Sequence, residues 1–401
     1  SFLFLLSSFI SQEMLQTREY RGLGLMSGSS LDGIDIAFCR FLVRSGQTGQ
    51  TFPLVVDEWE MPAAETRPFD PSWRRRLREL PAGSARELAL AHVEFGQLLA
   101  HEVTAFLAAH PVRPSYIASH GHTIFHWPER GATLQIGDGG ALAARTGLPV
   151  VCDFRSQDVA LQGQGAPMAP IAERLLFDGY DLFLNLGGIA NISSGLGGEW
   201  RAYDVAPANQ VLDRLAQQEG KAFDENGRLA ASGQLLEPLL AQLDDLPYYR
   251  RPFPKSLDNS FSSEEVWPLL AAAPGSWADR SHTYCEHLAR QIARSVRELA
   301  GQAAARMLVT GGGAFHAFLV DRLRAHCDPV EVIVPEARIV AFKEAALMAL
   351  AGMLRLEGLP NFLPSVTGAG RASVGGAWYA GSEGAAAIFE PVDDSPEPPR
   401  H

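Results

Sequence analysis

Apolar residues recur along this chain with two different spacings, and the two spacings alternate. The segment Arg21–Val43 is an apolar stretch, a tight Gly/Ser turn and a second apolar stretch, which predicts a β-hairpin. Residues 84–110 instead repeat apolar side chains, including Leu90 and Val93, at helical spacing. Ser115–His126 predicts one strand that enters a polar His-Gly-His sequence. This alternation of strands and helices favours an α/β fold.

The hairpin pattern returns in the second half of the chain. Tyr180–Ser193 is again an apolar stretch, a glycine turn and an apolar stretch. A related pattern at Arg306–Phe315 predicts a strand that ends in three glycines, with a helix over Ala317–Arg324. The repeated hairpins predict a duplicated architecture with two βαβ cores and a central cleft. One further strand is predicted at Leu148–Phe154, and further helices at Ile171–Phe177, Asn209–Leu215, Tyr284–Leu299 and Lys343–Leu356.

Composition and charge narrow the classes of ligand. The chain has 401 residues, which suggests two domains at roughly 100–200 residues each. It carries 34 Lys and Arg against 46 Asp and Glu, a net charge of −12, which disfavours nucleic acid and anionic membranes as partners. Any anionic ligand must therefore be held by backbone N–H groups, a metal ion or a few placed cations. The four cysteines are scattered without a zinc or disulfide pattern, which is typical of a reducing cytosol.

The two ends of the chain are expected to lie outside the fold. The apolar start, Ser1–Ile10, resembles the core of a signal peptide, but no basic residue precedes it, since the first is Arg18. We expect Met14 to be the biological start and residues 1–17 to be an upstream or disordered segment. The acidic, proline-rich tail over residues 386–401 is also expected to be disordered.

Two glycine-rich turns could approach a phosphate. The segment Gly28–Asp35 follows a predicted strand, so its backbone N–H groups could bind a phosphate and a carboxylate could hold Mg²⁺. An ordinary hairpin turn favours the same residue types and remains an equal explanation. Gly311–Gly313 could pass under a flat ring or a phosphate, or form a structural turn. The dinucleotide fingerprint, the Walker sequence and the nucleophile elbow are all absent.

Several polar side chains invite a chemical role, and each also has a structural explanation. Asp204 could be a buried general base, or the N-cap of the helix that follows it. His120, with His122 and His126, fits no standard zinc spacing and is better suited to lining a ligand pocket. Arg155 follows a strand end, where α/β sheets bind ligands, but it could belong to a surface ion-pair cluster. Glu344 could instead have a structural role, because the dipole of a helix that begins there favours a negative charge in its first turn.

Taken in order, these motifs resemble the anhydro-N-acetylmuramic acid kinase family, from Gly22 to Tyr379. The segments that carry the resemblance are Gly24–Asp35, Ser119–Thr123, Thr133–Gly137, Cys152–Arg155, Gly163–Pro167, Asn185–Asn191, Gly311–Ala314 and Leu363–Ala369. The resemblance implies the two-lobed fold of the actin and sugar kinase superfamily, with nucleotide in the cleft. We expect a first lobe at 18–140, rejoined by C-terminal residues, and a second lobe at 141–385.

The resemblance also implies a reaction. ATP and Mg²⁺ would phosphorylate the 6-oxygen of 1,6-anhydro-N-acetylmuramic acid while water opens the anhydro bridge, as part of peptidoglycan recycling. Asp204 would deprotonate the water. The side chains expected at the sugar are His122, Thr123, Arg155 and Glu344. The residues expected at ATP are Gly28, Ser29, Ser30, Leu31, Asp32, Gly33, Ile34, Asp35, Gly187, Gly188, Asn209, Gly311, Gly312, Gly313 and Ala314. A cytoplasmic homodimer is expected, with no protein-only metal site.

Some positions depart from the family's usual pattern. After Asp204 the chain reads Val-Ala-Pro-Ala-Asn where the family has Thr-Gly-Pro-Gly-Asn, which adds methyl groups where a phosphate is expected. Ser29 replaces a threonine, His122 replaces a glutamine, and the segment Pro254–Ser260 lacks the usual Arg and Glu. These changes keep two alternatives open: a kinase with a different sugar acceptor, or a catalytically dead protein that binds nucleotide or sugar.

Overall fold

A computed structural model describes residues 17–28, 31–46, 52–258, 260–382 and 389–391. The described residues form two compact units. The first takes its residues from Ser1–Leu176 and Glu344–His401, and the second from Phe177–Lys343. Among the described residues, no helix combines the length and the apolar character needed to cross a bilayer.

The strands, numbered in chain order, are β1 Arg18–Met26, β2 Gly33–Ser45, β3 Leu54–Pro68, β4 Tyr116–Ser119, β5 His122–Trp127, β6 Ala132–Ile136, β7 Val150–Cys152, β8 Leu182–Leu186, β9 Ile189–Ser194, β10 Arg201–Pro207, β11 Arg306–Thr310, β12 Glu331–Ile333, β13 Ala377–Tyr379 and β14 Phe389–Pro391.

The α-helices are α1 Pro71–Glu79, α2 Ala85–Ala109, α3 Gly139–Thr146, α4 Arg155–Ala160, α5 Ala169–Leu176, α6 Asn209–Gln217, α7 Arg228–Ser232, α8 Glu237–Asp244, α9 Trp267–Ala272, α10 Trp277–Ala300, α11 Ala317–His326, α12 Ala337–Leu356 and α13 Pro364–Thr367. Short 3-10 turns lie at Leu80–Ala82, Pro128–Arg130, Glu225–Gly227, Pro247–Arg250 and Gly312–Phe315, and one π-turn lies at Ser262–Val266.

The two units repeat one sheet topology. In the first unit the strands lie in the order β13-β7-β4-β1-β2-β3, and β14 also pairs with β1. In the second unit the order is β10-β9-β8-β11-β12. In each sheet three strands form an antiparallel meander, and two further strands continue parallel to the first strand of that meander. The predicted α/β class and the duplicated core are confirmed.

The central helix of each unit buries one face against its sheet. In α10 the predicted apolar positions, including Tyr284, Leu288 and Ile292, lie in the core of the second unit. The predicted helix at 84–110 is also confirmed as α2, and Ser84 caps its first turn with Glu87. Of its predicted apolar positions, Val103 and Phe106 are buried in the core and Leu98 and Leu107 pack against it, but the first two differ. Leu90 and Val93 are exposed, because the helix turns the positions around Phe95 and Leu99 towards the sheet.

The boundary between the units differs from the expected one at residue 141. Residues 141–176 belong to the first unit because β7 pairs in parallel with β4 and extends the first sheet. The residues after Lys343 also belong to the first unit, where β13 pairs with β7 on the other side. The return of C-terminal residues to the first unit was expected from the resemblance, but without a visible linker the sequence gave no sign of where either crossing lies. The expectations for residues 1–16, 386–388 and 392–401 lie outside the described residues. Within the tail expected to be disordered, Phe389–Pro391 instead forms β14, which pairs with β1.

Candidate active site

The first glycine-rich turn, after β1, is shorter than the predicted phosphate loop. Ser29 and Ser30 lie outside the described residues. Leu31 has a left-handed backbone with φ +58°, and its N–H donates to Gly28 O at 3.4 Å. Gly33 already belongs to β2, where a Cβ would lie 2.3 Å from the carbonyl oxygen of Arg67. The turn itself therefore spans the residues up to Asp32.

The end of the predicted loop has a structural role. Ile34 is fully buried in the core of the first unit, so its side chain is not available to a ligand. Asp35 accepts a hydrogen bond of 2.6 Å from Thr66 Oγ1. Burial, and then the nearby Asp32 carboxylate, raise the pKa of Asp35. Asp32 is exposed, so the turn and the start of β2 together offer one exposed and one half-buried carboxylate.

The carboxylates of Asp32 and Asp35 are the candidates for binding the expected Mg²⁺. No group of three or more His, Cys, Asp or Glu side chains that could hold a metal occurs in the described part of the chain. Mg²⁺ commonly binds one or two carboxylates together with substrate phosphates and water. Asp32 and Asp35 supply that donor set beside the turn. They therefore fit a Mg²⁺ ion that arrives with a nucleotide.

The predicted strand over Ser115–His126 is interrupted at the candidate sugar residues. Gly121 has φ +69° and separates β4 from β5, which pairs with β6 in a small sheet of its own. His120 and His122 therefore do not lie on one continuous strand, as the prediction of a single strand over Ser115–His126 required. His122 Nδ1 and the Ser27 hydroxyl share a hydrogen bond of 2.9 Å, which brings the start of β5 to the end of β1.

The two polar residues at the start of β5 differ in environment. Burial lowers the pKa of His122 to about 4, so its ring is neutral at physiological pH. Thr123 accepts a hydrogen bond of 3.4 Å from Gln135 Nε2. A neutral imidazole can both donate and accept, as can the amide of the glutamine that it replaces.

Arg155 is a partly buried cation at the start of α4. Burial lowers its pKa to about 10, while the carboxylate of Glu344 favours its charged form. The guanidinium is therefore protonated at neutral pH. Its Nε is enclosed and has no hydrogen-bond partner among the described residues. Arg155 is thus no member of an exposed ion-pair cluster, and it retains donors for a ligand.

Two acidic residues near Arg155, Asp158 and Glu344, lie in different surroundings. Asp158 is fully buried and fixes loops: its Oδ2 accepts the N–H of Gly165 at 2.8 Å, and its Oδ1 accepts the hydroxyl of Thr367 at 3.0 Å. Glu344 lies well inside α12, which begins at Ala337 and not at Lys343. The helix-dipole explanation for Glu344 is therefore wrong.

In the second unit, Asp204 lies on β10 and not at a helix start. Helix α6 begins at Asn209, so the N-cap interpretation of Asp204 is wrong. A β-bulge follows Asp204 in the pairing of β10 with β9. The hydroxyl of Tyr248 donates to the carbonyl oxygen of Asp204 at 2.7 Å and holds its backbone in place.

The Asp204 carboxylate is half-buried and held at one oxygen. Oδ2 accepts the backbone N–H of Leu257 at 3.0 Å, whereas no hydrogen bond to Oδ1 is found among the described residues. Burial raises the pKa of Asp204, and the Leu257 N–H opposes that rise. Leu257 belongs to the segment that departs from the family pattern, but its contact is made by the backbone. Sequence reasoning missed both Leu257 and Tyr248, because neither contact depends on a distinctive motif.

The second glycine turn, Gly187-Gly188, is tied to the start of α6. The N–H groups of Asn209 and Ala208 donate to Gly187 O at 3.0 Å and Gly188 O at 2.8 Å. Asn209 Nδ2 donates to Leu186 O at 3.1 Å. These residues therefore shape the turn between β8 and β9, and the first N–H groups of α6 are already used.

A cavity of about 390 Å³ opens beside the third glycine turn. Gly311 has φ +82°, and a Cβ there would lie 2.6 Å from Asn185 Oδ1. Gly312 and Gly313 line the cavity, and Ala314 beside them is buried. The lining also includes Asn209, Asp213, Phe223, Asp224, Glu225, Phe315 and His316.

The chemistry of this cavity suits a flat, neutral group. The rings of Phe223 and Phe315 are 59% and 47% exposed and offer apolar faces. Its charged lining side chains are the carboxylates of Asp213, Asp224 and Glu225 and the ring of His316, with no Lys or Arg. Against the effect of burial, Cys285 and Asp224 raise the pKa of His316 to about 10, and this cation is paired with Asp224 at 3.4 Å, so the carboxylates remain in excess. Carboxylates accept hydrogen bonds from hydroxyl groups but repel phosphates. A nucleoside fits here better than a triphosphate.

The residues that depart from the family pattern after Asp204 face the protein core. Val205, Ala206 and Ala208 are all buried in the core of the second unit. Their methyl groups therefore do not lie where a phosphate would approach, contrary to expectation. The hydroxyl of Tyr284 further holds Pro207 O at 2.7 Å. These three side chains are therefore part of the interior, and Asp204 lies beside them on β10.

Comparisons with known proteins agree with these features. The model of the anhydro-N-acetylmuramic acid kinase family matches residues 20–381. An anhydro-N-acetylmuramic acid kinase from Methylobacterium nodulans is 37% identical over 381 residues, covering 89% of this chain and 98% of the relative. One from Vibrio cholerae is 34% identical over 374 residues, with 89% and 98% covered.

Among solved structures, the activator of the 2-hydroxyisocaproyl-CoA dehydratase from Clostridium difficile aligns with a TM-score of 0.38 at 14% identity, covering 84% of this chain and 97% of that one. The family assignment rests on the sequence matches, which extend through both units and include Asp204, Arg155 and the glycine turns. This chain belongs to the anhydro-N-acetylmuramic acid kinase family.

Proposed function

We propose that this chain uses ATP to convert 1,6-anhydro-N-acetylmuramic acid and water into N-acetylmuramic acid 6-phosphate and ADP. The observation that carries the proposal is the half-buried Asp204 carboxylate, held at one oxygen by Leu257 N–H. The product is a phosphorylated amino sugar, so the reaction belongs to peptidoglycan recycling and amino sugar catabolism. Family membership supports the reaction class.

The nucleotide is assigned to the glycine turns. The adenosine would occupy the cavity beside Gly311–Ala314, where Phe223 and Phe315 offer ring faces and carboxylates accept from ribose hydroxyls. The phosphates would bind backbone N–H groups of the turn from Gly28 to Asp32. Mg²⁺, held by Asp32 and Asp35, would neutralise charge on the transferred phosphoryl group.

The sugar is assigned to polar residues of the first unit. Its lactyl carboxylate is an anion, and Arg155 can bind it through two parallel N–H donors. Glu344, near enough to favour the charge on Arg155, would accept a sugar hydroxyl. His122 and Thr123, at the start of β5, would hydrogen-bond to the remaining polar groups.

Asp204 is assigned the role of general base. It would take a proton from water, whose oxygen bonds to the anomeric carbon as the bond from that carbon to the bridging 6-oxygen breaks. The released 6-oxygen bonds to the γ-phosphorus as the bond from that phosphorus to ADP breaks. The raised pKa of Asp204 supports this role, because a stronger base removes the proton more readily.

The direct test is sugar-dependent ADP release by purified protein with ATP and Mg²⁺. The anhydro sugar should be the best acceptor in a panel of sugars, and Asp204→Asn should abolish turnover. Asp321→Asn, an exposed aspartate of the same unit, is the matched control and should behave as wild type. If no sugar stimulates ADP release, the proposal is wrong and the chain is a protein that only binds nucleotide or sugar. If another sugar is a better acceptor than the anhydro sugar, the chain is a kinase of that other sugar.

Cellular location and assembly are also proposed. All four cysteines are free and buried, which supports a cytoplasmic location. We carry over the homodimer from the family resemblance. Light scattering of the purified protein should give twice the chain mass, and a monomer mass would contradict the dimer.

A further inference from the structure

A second cavity, in the first unit, has no part in the proposed reaction. It measures about 190 Å³ and lies between the segment Thr133–Gly137 and the strand ends at Asp153 and Tyr379. Its lining residues include neither Arg155 nor Glu344. At about 30 Å³ for each water, it could hold roughly six water molecules. It is thus larger than a single buried water requires.

His120 presents an unused acceptor to this cavity. The side chain is 4% exposed, and Nδ1–H donates to Gly121 O at 3.0 Å. The proton therefore lies on Nδ1, which leaves Nε2 with a lone pair. Nε2 is enclosed and finds no partner among the described residues. Burial lowers the pKa of His120 to about 3, so protonation does not turn Nε2 into a donor at neutral pH.

Gln135 supplies a second unused acceptor. Its Nε2 donates to the hydroxyls of Thr133 at 2.8 Å and Thr123 at 3.4 Å. The Thr133 hydroxyl in turn donates to Phe125 O, which fixes the orientation of the amide. Oε1 is therefore the free end, and it too is buried without a partner among the described residues. A buried acceptor without a donor is unfavourable, so the pair favours a ligand that brings two donors.

Tyr379 gives the cavity an aromatic face. Its side chain is 40% exposed, and its ring lies against Gly139, where a Cβ would come within 2.8 Å of a ring carbon. The glycine is what allows the ring to lie there. The charged lining residues include no Lys or Arg, and the carboxylate of Asp153 is already bonded to Ser156. Neutral acceptors beside an aromatic face suit a neutral ring that carries hydroxyl groups.

We propose that this cavity is a second sugar site, which binds a neutral pyranose ring through hydroxyl donors to His120 Nε2 and Gln135 Oε1, with Tyr379 against the ring face. Binding at this site does not rest on the proposed kinase reaction, although the cavity borders the segment assigned to its substrate. Gln135 also bonds Thr123, and His120 bonds the residue before His122. An occupant would therefore contact the segment assigned to the substrate.

The test uses N-acetylglucosamine as a neutral pyranose probe and the full chain without ATP. Saturation-transfer NMR should detect binding to wild type. His120→Asn keeps a donor at the position of Nδ1 but removes Nε2, and Tyr379→Leu removes the ring at an exposed position. Each should raise the Kd about tenfold, the effect of one lost hydrogen bond or ring contact. Trp378→Leu, an exposed aromatic neighbour outside the cavity lining, is the matched control and should leave the Kd unchanged.

Three results would overturn the proposal. Absence of saturation transfer would mean that water alone fills the cavity. Equal binding by wild type, His120→Asn and Tyr379→Leu would put the probe elsewhere. Displacement of the probe by 1,6-anhydro-N-acetylmuramic acid would make the cavity part of the substrate site. Since the measurement needs no turnover, its failure leaves the kinase proposal intact, and Asp204→Asn should bind the probe as wild type does.

Discussion

At the scale of single residues, the chemistry of Asp204 depends on contacts that are distant in sequence. Its carboxylate is held by a backbone N–H from Leu257, and its carbonyl by the hydroxyl of Tyr248. Both contacts orient the side chain without neutralising it. Burial raises the pKa of Asp204, because it destabilises the charged form, and the carboxylate is therefore a stronger base.

The first prediction concerns the rate of the reaction. Asp204→Asn keeps the shape of the side chain and removes the base, so kcat should fall by ~10²–10⁴-fold while the KM for ATP changes little. In wild type, kcat/KM should fall as the pH drops through the raised pKa of Asp204. Steady-state ADP release across a pH series measures both. An unchanged kcat in Asp204→Asn would remove Asp204 from the mechanism.

The ionised carboxylate of Asp204 should also lower the stability of the folded protein. A carboxyl group with a raised pKa in the folded state binds more protons there than in the unfolded chain, so its contribution to stability falls as the pH rises through the interval between the two pKa values. Asp204→Asn should therefore raise the Tm at neutral pH, and the difference should disappear at acid pH. Thermal unfolding at several pH values measures this. A lower Tm for the variant at neutral pH would contradict it.

Arg155 allows a prediction about substrate affinity. Arg155→Lys keeps the positive charge but loses the two parallel donors, so the KM for the sugar should rise by about 10–100-fold while the KM for ATP stays unchanged. Arg145→Lys, at an exposed position on α3, is the control. Equal effects on both KM values would indicate a general structural defect.

At the scale of elements, the turn after β11 depends on a conformation that favours glycine. Gly311→Ala must adopt a positive φ and would also bring its Cβ within 2.6 Å of Asn185 Oδ1. We expect a loss of ~1–3 kcal/mol in the free energy of unfolding, and a higher KM for ATP. Gly312→Ala is the matched control for stability, because its Cβ would meet only Asn209 Nδ2, at 3.5 Å. Chemical denaturation should separate the two variants.

Sequence patterns captured the elements whose signal is local, and missed what depends on distant contacts. The hairpin of β1 and β2 and the helix α10 carried a clear period and a clear turn. The break at Gly121 was not predicted, because a single glycine is compatible with a continuous strand and only the backbone conformation reveals the break. The hydrogen bond from Leu257 to Asp204 is donated by a backbone N–H, so no side-chain motif could predict it. The glycine turns and Asp204 were found because they recur together in one family.

At the scale of the whole molecule, nucleotide binding should stabilise the folded chain. ADP at ~100 times its Kd should add about 2.7 kcal/mol to the free energy of unfolding. Phe315→Ala removes an exposed ring from the adenosine cavity and should weaken ADP binding by ~1–3 kcal/mol. Trp127→Ala, an exposed aromatic of the first unit, should not. Thermal shifts with and without ADP test this, and equal ADP effects in the two variants would contradict the assignment of the cavity.

The repeated strand order of the two sheets also has a historical meaning. Two sheets that share the same order and directions are what duplication of one ancestral gene segment would leave. Each copy would have inherited one glycine turn between its first two strands, at Gly28 in one and at Gly187 in the other. The later histories of the two turns then differ. The turn at Gly28 is the one proposed for phosphate, whereas the carbonyls of the turn at Gly187 accept hydrogen bonds from the N–H groups at the start of α6. After such a duplication, any chemistry specific to one turn would be younger than the architecture that the two units share.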